Sequence, residues 1–163
     1  MAKVRIICIS DTHGQHAGLL VPDGDILIHA GDFMTYGNAP REIIDFDAWL
    51  GRQSHRHKIV IAGNHDRLFE SHPVPARALI TNGIYLEDSG VELDGLTFWG
   101  SPVQPPFNYW AFNVERGAAN TPTLGQNPAG DRRTGDSRTT VWDTRSNRVE
   151  YASSGLRRVG QSS

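Results

Sequence analysis

The 163-residue sequence contains one cysteine, Cys8, so no disulfide can form within the chain and a cluster of thiolate metal ligands is excluded. Cys8 lies in a short apolar run, which favours a buried structural thiol and a reducing compartment. No apolar run approaches the ~20 residues that a membrane-spanning helix needs, and no signal-peptide cleavage site follows the first strand-like segment. We therefore expect a cytoplasmic protein with no membrane partner.

The sequence also lacks an excess of positive charge. It has 16 Lys and Arg against 18 Asp and Glu, a formal net charge of -2 at pH 7. This balance gives no reason to expect nucleic acid as a partner. A small anionic substrate is still compatible with it, because a bound metal ion can supply positive charge locally.

The last part of the chain has few residues that can form a core. Residues 118–163 contain no Ile, Phe, Met, His or Lys, but they contain seven Arg, five Gly and twelve Ser or Thr. With so little apolar surface to bury, this segment cannot offset its chain entropy, and we predict disorder. The arginines are not interleaved with aromatic residues, so an RNA-binding arm is not favoured. The predicted domain covers residues 1–117.

Apolar runs and helical spacing in the first part predict an α/β fold. Three runs rich in β-branched residues are predicted as strands, at Val4 to Ser10, Asp25 to Ala30 and Lys58 to Ala62. Helical spacing of apolar residues predicts a helix over Ala39 to Arg52, and an Asp-Gly pair predicts a hairpin over Val91 to Trp99. Strands that alternate with helices favour a parallel sheet.

Each of the three predicted strands ends in residues that can bind a metal or move a proton. The motifs are Asp11-Thr12-His13-Gly14, Gly31-Asp32 and Gly63-Asn64-His65-Asp66. Ligands of open α/β sheets bind beyond the carboxyl ends of the strands, so the three motifs are predicted to form one site. Their carboxylate, imidazole and amide groups suit divalent manganese, iron or zinc. Ordinary turn and capping chemistry explains each motif alone but would have to explain all three together.

These motifs resemble the pattern of the calcineurin-like metallophosphoesterases, which runs D-x-H, then G-D, then G-N-H-D/E. The loop Gly100 to Asn113, G-S-P-V-Q-P-P-F-N-Y-W-A-F-N, is similar to the signature loop of one branch, the metallophosphoesterase-domain-containing proteins. The resemblance implies an α/β sandwich of the αββα type. It also implies hydrolysis of phosphomonoesters or phosphodiesters, with a metal-bound hydroxide as the nucleophile and a small phosphorylated compound as the substrate.

The resemblance assigns metal ligands by position. Asp11 and His13 would bind a first divalent metal, Asp32 would bridge two metals, and Asn64 would bind the second. The family has two metals, but for this chain we expect one or none.

The same resemblance implies catalytic and substrate-binding roles. His65 would protonate the leaving group, and Asp66 would orient His65 through a hydrogen bond. Asn64 and Trp110 are candidate substrate-binding residues. For Trp110, simple packing within the aromatic loop is an equally good interpretation.

Histidines expected later in the family pattern are missing. All seven histidines lie between His13 and His72. We therefore expect the sandwich to be incomplete at its C-terminus, through truncation or a change of reading frame near residues 118–121. The alternative to an active enzyme is a catalytically impaired or dead remnant that is at most a weak one-metal binding protein.

Overall fold

The centre of the fold is a four-stranded parallel sheet, seen in a computed structural model that describes residues 3–106, 108–115 and 142–143. Its strands are β1 Ile6–Ile9, β2 Ile26–His29, β3 His57–Val60 and β4 Ile84–Tyr85. They lie side by side in the order β1-β2-β3-β4. The first three lie in or overlap the predicted apolar runs, and parallel pairing places their carboxyl ends at the same edge.

Three α-helices lie between the strands of this sheet along the described part of the chain. They are α1 Pro40–Gly51, α2 Leu68–Ser71 and α3 Pro73–Ala78, and a 3-10 turn spans His16–Gly18. The predicted helix 39–52 is confirmed as α1, which begins at a proline suited to the first helical turn. Its apolar face is buried, and the ring of Phe46 stacks on Phe33 with centroids 4.2 Å apart.

A second, antiparallel sheet contains the predicted hairpin. Its strands are β5 Ser89–Leu93, β6 Leu96–Gly100 and β7 Trp142–Asp143. Asp94 and Gly95 join β5 to β6 with φ angles of 53° and 76°. Two consecutive positive φ angles define the type I′ turn that matches the twist of a hairpin, as the Asp-Gly pair predicts.

The parallel sheet is buried on both faces, which explains why its strands are almost uniformly apolar. One face, with Leu27 and Val60, packs against α1. The other face, with Ile28 and Ile59, packs against the second sheet through Phe98. This layering is the predicted α/β sandwich.

The prediction of disorder concerns a segment of which little is described. Within residues 118–163, the structure describes only Trp142 and Asp143, and Phe107 also lies outside the described residues.

The single cysteine lies in the parallel sheet. Cys8 is half-buried, and burial raises the pKa of its thiol to about 11, so the thiol is neutral near pH 7. In the part of the chain that the structure describes, no helix has the length and apolarity to cross a membrane.

Candidate metal centre

The loops that follow β1, β2 and β3 meet at the carboxyl edge of the parallel sheet, as predicted. Backbone hydrogen bonds join the first two loops: the N–H of Asp11 donates to the Gly31 carbonyl at 3.0 Å, and that of His13 donates to the Asp32 carbonyl at 3.0 Å. The loop after β3 joins them through the N–H of His65, which donates to Asp32 Oδ1 at 2.8 Å. The three motifs therefore form one site.

Three of the predicted ligands have left-handed backbone conformations. The φ angles are 57° at Asp11, 43° at His13 and 56° at Asp32. Such a conformation is unfavourable for a residue with a Cβ and persists only where the surrounding structure imposes it, most often at functional sites. The first two motifs therefore contain three of the seven described non-glycine residues that have a positive φ.

Glycine allows two of these loops to approach each other closely. Gly31 has a φ of 106°, and a Cβ added there would lie 2.8 Å from the Cα of Gly63. Neither the conformation nor the space permits a larger residue at position 31. The glycines of the Gly-Asp and Gly-Asn motifs are thus both needed for the same close contact between the two loops.

His13, Asp32 and His65 bring one ligand atom each within 4.8 Å of one another, and all three are half-buried. The rings of His13 and His65 make an edge contact with centroids 4.6 Å apart. Two imidazole nitrogens and one carboxylate oxygen form a donor set suited to a borderline divalent ion, and three protein ligands leave positions open for water or substrate. Within the described ranges, no other group of three such side chains is comparably close.

The charge of Asp32 also fits a cation site. Burial raises the pKa of Asp32, and the nearby Asp11 carboxylate adds to the rise, against the opposing effects of the His65 N–H and the two imidazoles. A buried anion that is disfavoured by its surroundings gains most from a neighbouring cation. The residues present are therefore compatible with a metal ion.

His65 is held from three sides. Besides its backbone bond to Asp32, its Nδ1 lies 3.3 Å from the Thr35 carbonyl, and its ring stacks on Trp110 with centroids 4.0 Å apart. Sequence reasoning assigned His65 to proton transfer only, but the structure also places it among the possible metal ligands. The contact with Thr35 has no sequence signal, because it depends on a backbone carbonyl.

Asp66 does not make the hydrogen bond to His65 that the sequence predicts. It is completely buried, and its carboxylate accepts hydrogen bonds from the backbone N–H groups of Gly63 at 2.7 Å, Met34 at 2.8 Å and Asp32 at 2.9 Å. Burial raises the pKa of Asp66 to about 8, although these three bonds act in the opposite direction. Asp66 links the second and third motifs through their backbones.

Asp11 and Asn64 lie beside the cluster of three ligands. Asp11 is exposed, accepts a hydrogen bond from Ser10 Oγ, and is close enough to influence the charge of Asp32. Asn64 is half-buried, and its backbone carbonyl accepts a hydrogen bond from the N–H of Ala111 at 3.2 Å. Their predicted roles as metal ligands stay predictions.

The aromatic loop folds over the third motif. The Ala111 bond to Asn64 fixes one point of contact, and the Trp110 stack on His65 fixes another. Trp110, a candidate substrate-binding residue, therefore lies at the site.

A buried histidine contacts the first motif. The fully buried His29 contacts Thr12 Oγ1 through Nε2 at 3.0 Å, which supports the first motif from the core.

The match with known proteins agrees with this geometry. The family model of the calcineurin-like phosphoesterases matches residues 4–141, and the chain belongs to this family. The chain is 39% identical over 138 residues to human metallophosphoesterase domain-containing protein 1. The aligned region covers 71% of this chain and 42% of the human protein. The family resemblance and the α/β fold expected from the sequence are both confirmed.

Two nematode proteins are similarly related. A UPF0046 protein of Caenorhabditis elegans is 37% identical over 144 residues, covering 70% of this chain and 36% of the nematode protein. A second UPF0046 protein of the same nematode is 42% identical over 117 residues, and the aligned region covers 61% of this chain and 41% of that protein. The matches thus span about two fifths of the length of these relatives.

Proposed function

We propose that this protein is a metal-dependent phosphoesterase that acts on small phosphomonoesters or phosphodiesters. The observation that supports this most strongly is the cluster of His13, Asp32 and His65 at the meeting point of three strand ends, in a chain of the calcineurin-like phosphoesterase family. The net charge of -2 favours a small substrate over nucleic acid.

The donor set favours one divalent manganese, iron or zinc ion held by His13, Asp32 and His65. When bound, such an ion supplies Lewis-acid polarisation of a phosphoryl oxygen. Asp11 adds negative charge near this position, which strengthens cation binding by long-range attraction.

The surroundings of His65 favour one tautomer. If Nδ1 carries the proton and donates a hydrogen bond to the Thr35 carbonyl, Nε2 keeps a free lone pair. That lone pair would serve as a metal ligand. In a site where the metal is held by other groups, Nε2 would instead take up a proton from solvent, and the resulting imidazolium would give this proton to the leaving-group oxygen. Trp110 restricts rotation of the ring in either case.

A second candidate is a catalytically impaired protein that binds one metal weakly. The observation that favours it is the distribution of histidine: none of the seven follows His72, so this sequence provides no later imidazole to complete a two-metal site. With Asn64 as the main remaining ligand, a second metal would bind poorly.

Hydrolysis assays distinguish the two candidates. The test compares p-nitrophenyl phosphate with bis(p-nitrophenyl) phosphate at saturating Mn²⁺, using wild-type protein and the variants Asp32→Ala and His65→Ala. The phosphoesterase proposal expects turnover that both variants abolish, while His72→Ala, at an exposed histidine outside the site, retains it. Mn²⁺ binding without turnover would favour the impaired protein. Turnover that survives in both site variants would come from a contaminant.

A further inference from the structure

Arg67 follows the third motif directly, and its side chain contacts the aromatic loop that folds over this motif. Its guanidinium carbon is 4.8 Å from the centroid of the Trp110 ring, and Nη2 donates to the Tyr109 carbonyl at 3.4 Å. Trp110 in turn stacks on His65. One indole ring therefore contacts both a candidate metal ligand and a cationic side chain.

Among the residues that the structure describes, the positive charge of Arg67 forms no salt bridge with an acidic side chain. The salt bridges among the described residues involve other cations: Arg41 with Asp45, Arg56 and His57 with Asp94, and Arg77 with Glu87. Arg67 is exposed, and in the described part of the chain its guanidinium bonds to a carbonyl and contacts an aromatic ring, neither of which neutralises its charge. A cation fixed in position but not paired is available to an anion from solution.

Arginine has the geometry for such an anion. Its planar guanidinium presents a fork of donors that matches two oxygens of a phosphoryl group, and stacking on an aromatic ring lowers the entropy lost when it binds. A phosphoryl group that places one oxygen at the metal has further oxygens directed away from it. Those oxygens require a donor beside the metal ligands rather than among them.

We propose that Arg67 is the phosphate-binding residue of this site, held by Trp110 and Tyr109 so that it contacts phosphoryl oxygens not taken by the metal. The inference rests on the proposed phosphoesterase function and specifies which residue recognises the substrate's charge. Arg67 was not among the candidates from the sequence, because an arginine that follows such a motif is by itself an ordinary surface residue.

The test is calorimetric titration of inorganic phosphate into the full-length protein, with and without Mn²⁺, for wild type, Arg67→Met and Arg67→Lys. Arg52→Met is the matched control, because Arg52 is also exposed and bonded to a backbone carbonyl but follows the last residue of α1, before β3 begins. We expect Arg67→Met to weaken phosphate binding about tenfold or more, since a charge-assisted hydrogen bond is lost. Arg67→Lys keeps the charge without the fork and should be intermediate.

A separate Mn²⁺ titration of each variant distinguishes failure of this inference from failure of the proposed function. Unchanged Mn²⁺ affinity in Arg67→Met, together with weaker phosphate binding, supports the inference. It is overturned if Arg67→Met binds phosphate as wild type does, if Mn²⁺ affinity falls in parallel, which would show a structural role, or if wild type binds no phosphate in either condition. Failure of the proposed function instead appears as an absence of Mn²⁺ binding in every variant, or as Mn²⁺ binding without turnover in the hydrolysis assay.

Discussion

The carboxylate of Asp66 accepts a hydrogen bond from the backbone N–H of Asp32, 2.9 Å away on a different loop. Asp32 in turn binds the third motif, because its Oδ1 accepts a hydrogen bond from the N–H of His65. The two aspartates thus hold the second and third motifs in one arrangement, and the position of the Asp32 side chain depends on a residue that does not itself face the cluster.

Replacing Asp66 with asparagine should destabilise the fold and weaken metal binding. The amide would direct its NH₂ group at a backbone N–H, leaving a buried donor unpaired at a cost of about 1–3 kcal/mol. Urea unfolding measures the first effect and Mn²⁺ titration the second. Asp45→Asn, at an exposed residue that forms a solvent-exposed salt bridge with Arg41, should change stability by less than about 0.5 kcal/mol. Equal effects of the two substitutions would contradict the role given to Asp66.

Replacing Gly37 with alanine should be more damaging than the same change at Gly95. Both glycines have nearly the same φ, 77° and 76°, so alanine is strained by about 1–2 kcal/mol at each. At Gly37 the added Cβ would also lie 1.8 Å from the His65 carbonyl oxygen, whereas at Gly95 nothing lies within 4 Å. Because the backbone strain is the same at both positions, the difference between the melting temperatures of the two variants measures the cost of the steric clash at Gly37. Similar melting temperatures would show that the loop at Gly37 moves aside freely.

Replacing Trp110 with alanine should lower Mn²⁺ affinity about tenfold, the usual effect of removing a group that orients a ligand. Without the indole, the His65 ring keeps the long contact to the Thr35 carbonyl and the edge contact with the His13 ring. Trp110→Phe retains a ring for stacking and should lose much less affinity. Titration calorimetry of the two variants tests this, and an alanine variant with wild-type affinity would show that Trp110 does not position His65.

Replacing Asp47 with asparagine tests an interaction remote from the site. Asp47 is buried in α1, which alone would raise its pKa, but four hydrogen bonds from Thr81 and Asn82 outweigh burial and lower the pKa. Because the pKa is lower in the folded state, the stabilisation is complete above the unfolded value of about 4 and is lost as pH falls through the folded value.

The Asp47→Asn variant should therefore be less stable than wild type by about 1–3 kcal/mol at pH 7, and the difference should shrink below pH 4. Urea unfolding over pH 2.5–7 at about 25 °C measures both quantities. A difference that stays constant across this range would mean that the charge of Asp47 contributes nothing.

The sequence predicted the sheet and the location of the site because both depend on patterns that lie close together along the chain. Apolar runs ending at Asp11, Asp32 and Asn64 were enough to place three loops at one edge. The hydrogen-bond partners of individual side chains were harder to predict from the sequence. The hydrogen bonds of Asp66 go to backbone N–H groups, including one 34 residues away, and nothing in the type of a residue reports on its backbone contacts.

The position of His65 shows the same limit. Its place in the motif predicted proton transfer, but the rotation that brings its ring into the cluster depends on Trp110 and Thr35, which lie on two other loops. The left-handed backbone at His13 and Asp32 likewise had no sequence signal beyond the neighbouring glycines.

The central claim is that His13, Asp32 and His65 together bind one divalent ion. Calorimetric titration of Mn²⁺ into wild type and the three single alanine variants tests it most directly, with His72→Ala as the control at an exposed histidine. We expect one equivalent of Mn²⁺ to bind to wild type and to His72→Ala, and each of the three site variants to bind about tenfold more weakly or not at all. Wild-type affinity in any of the three site variants, or no binding to wild type, would contradict the claim.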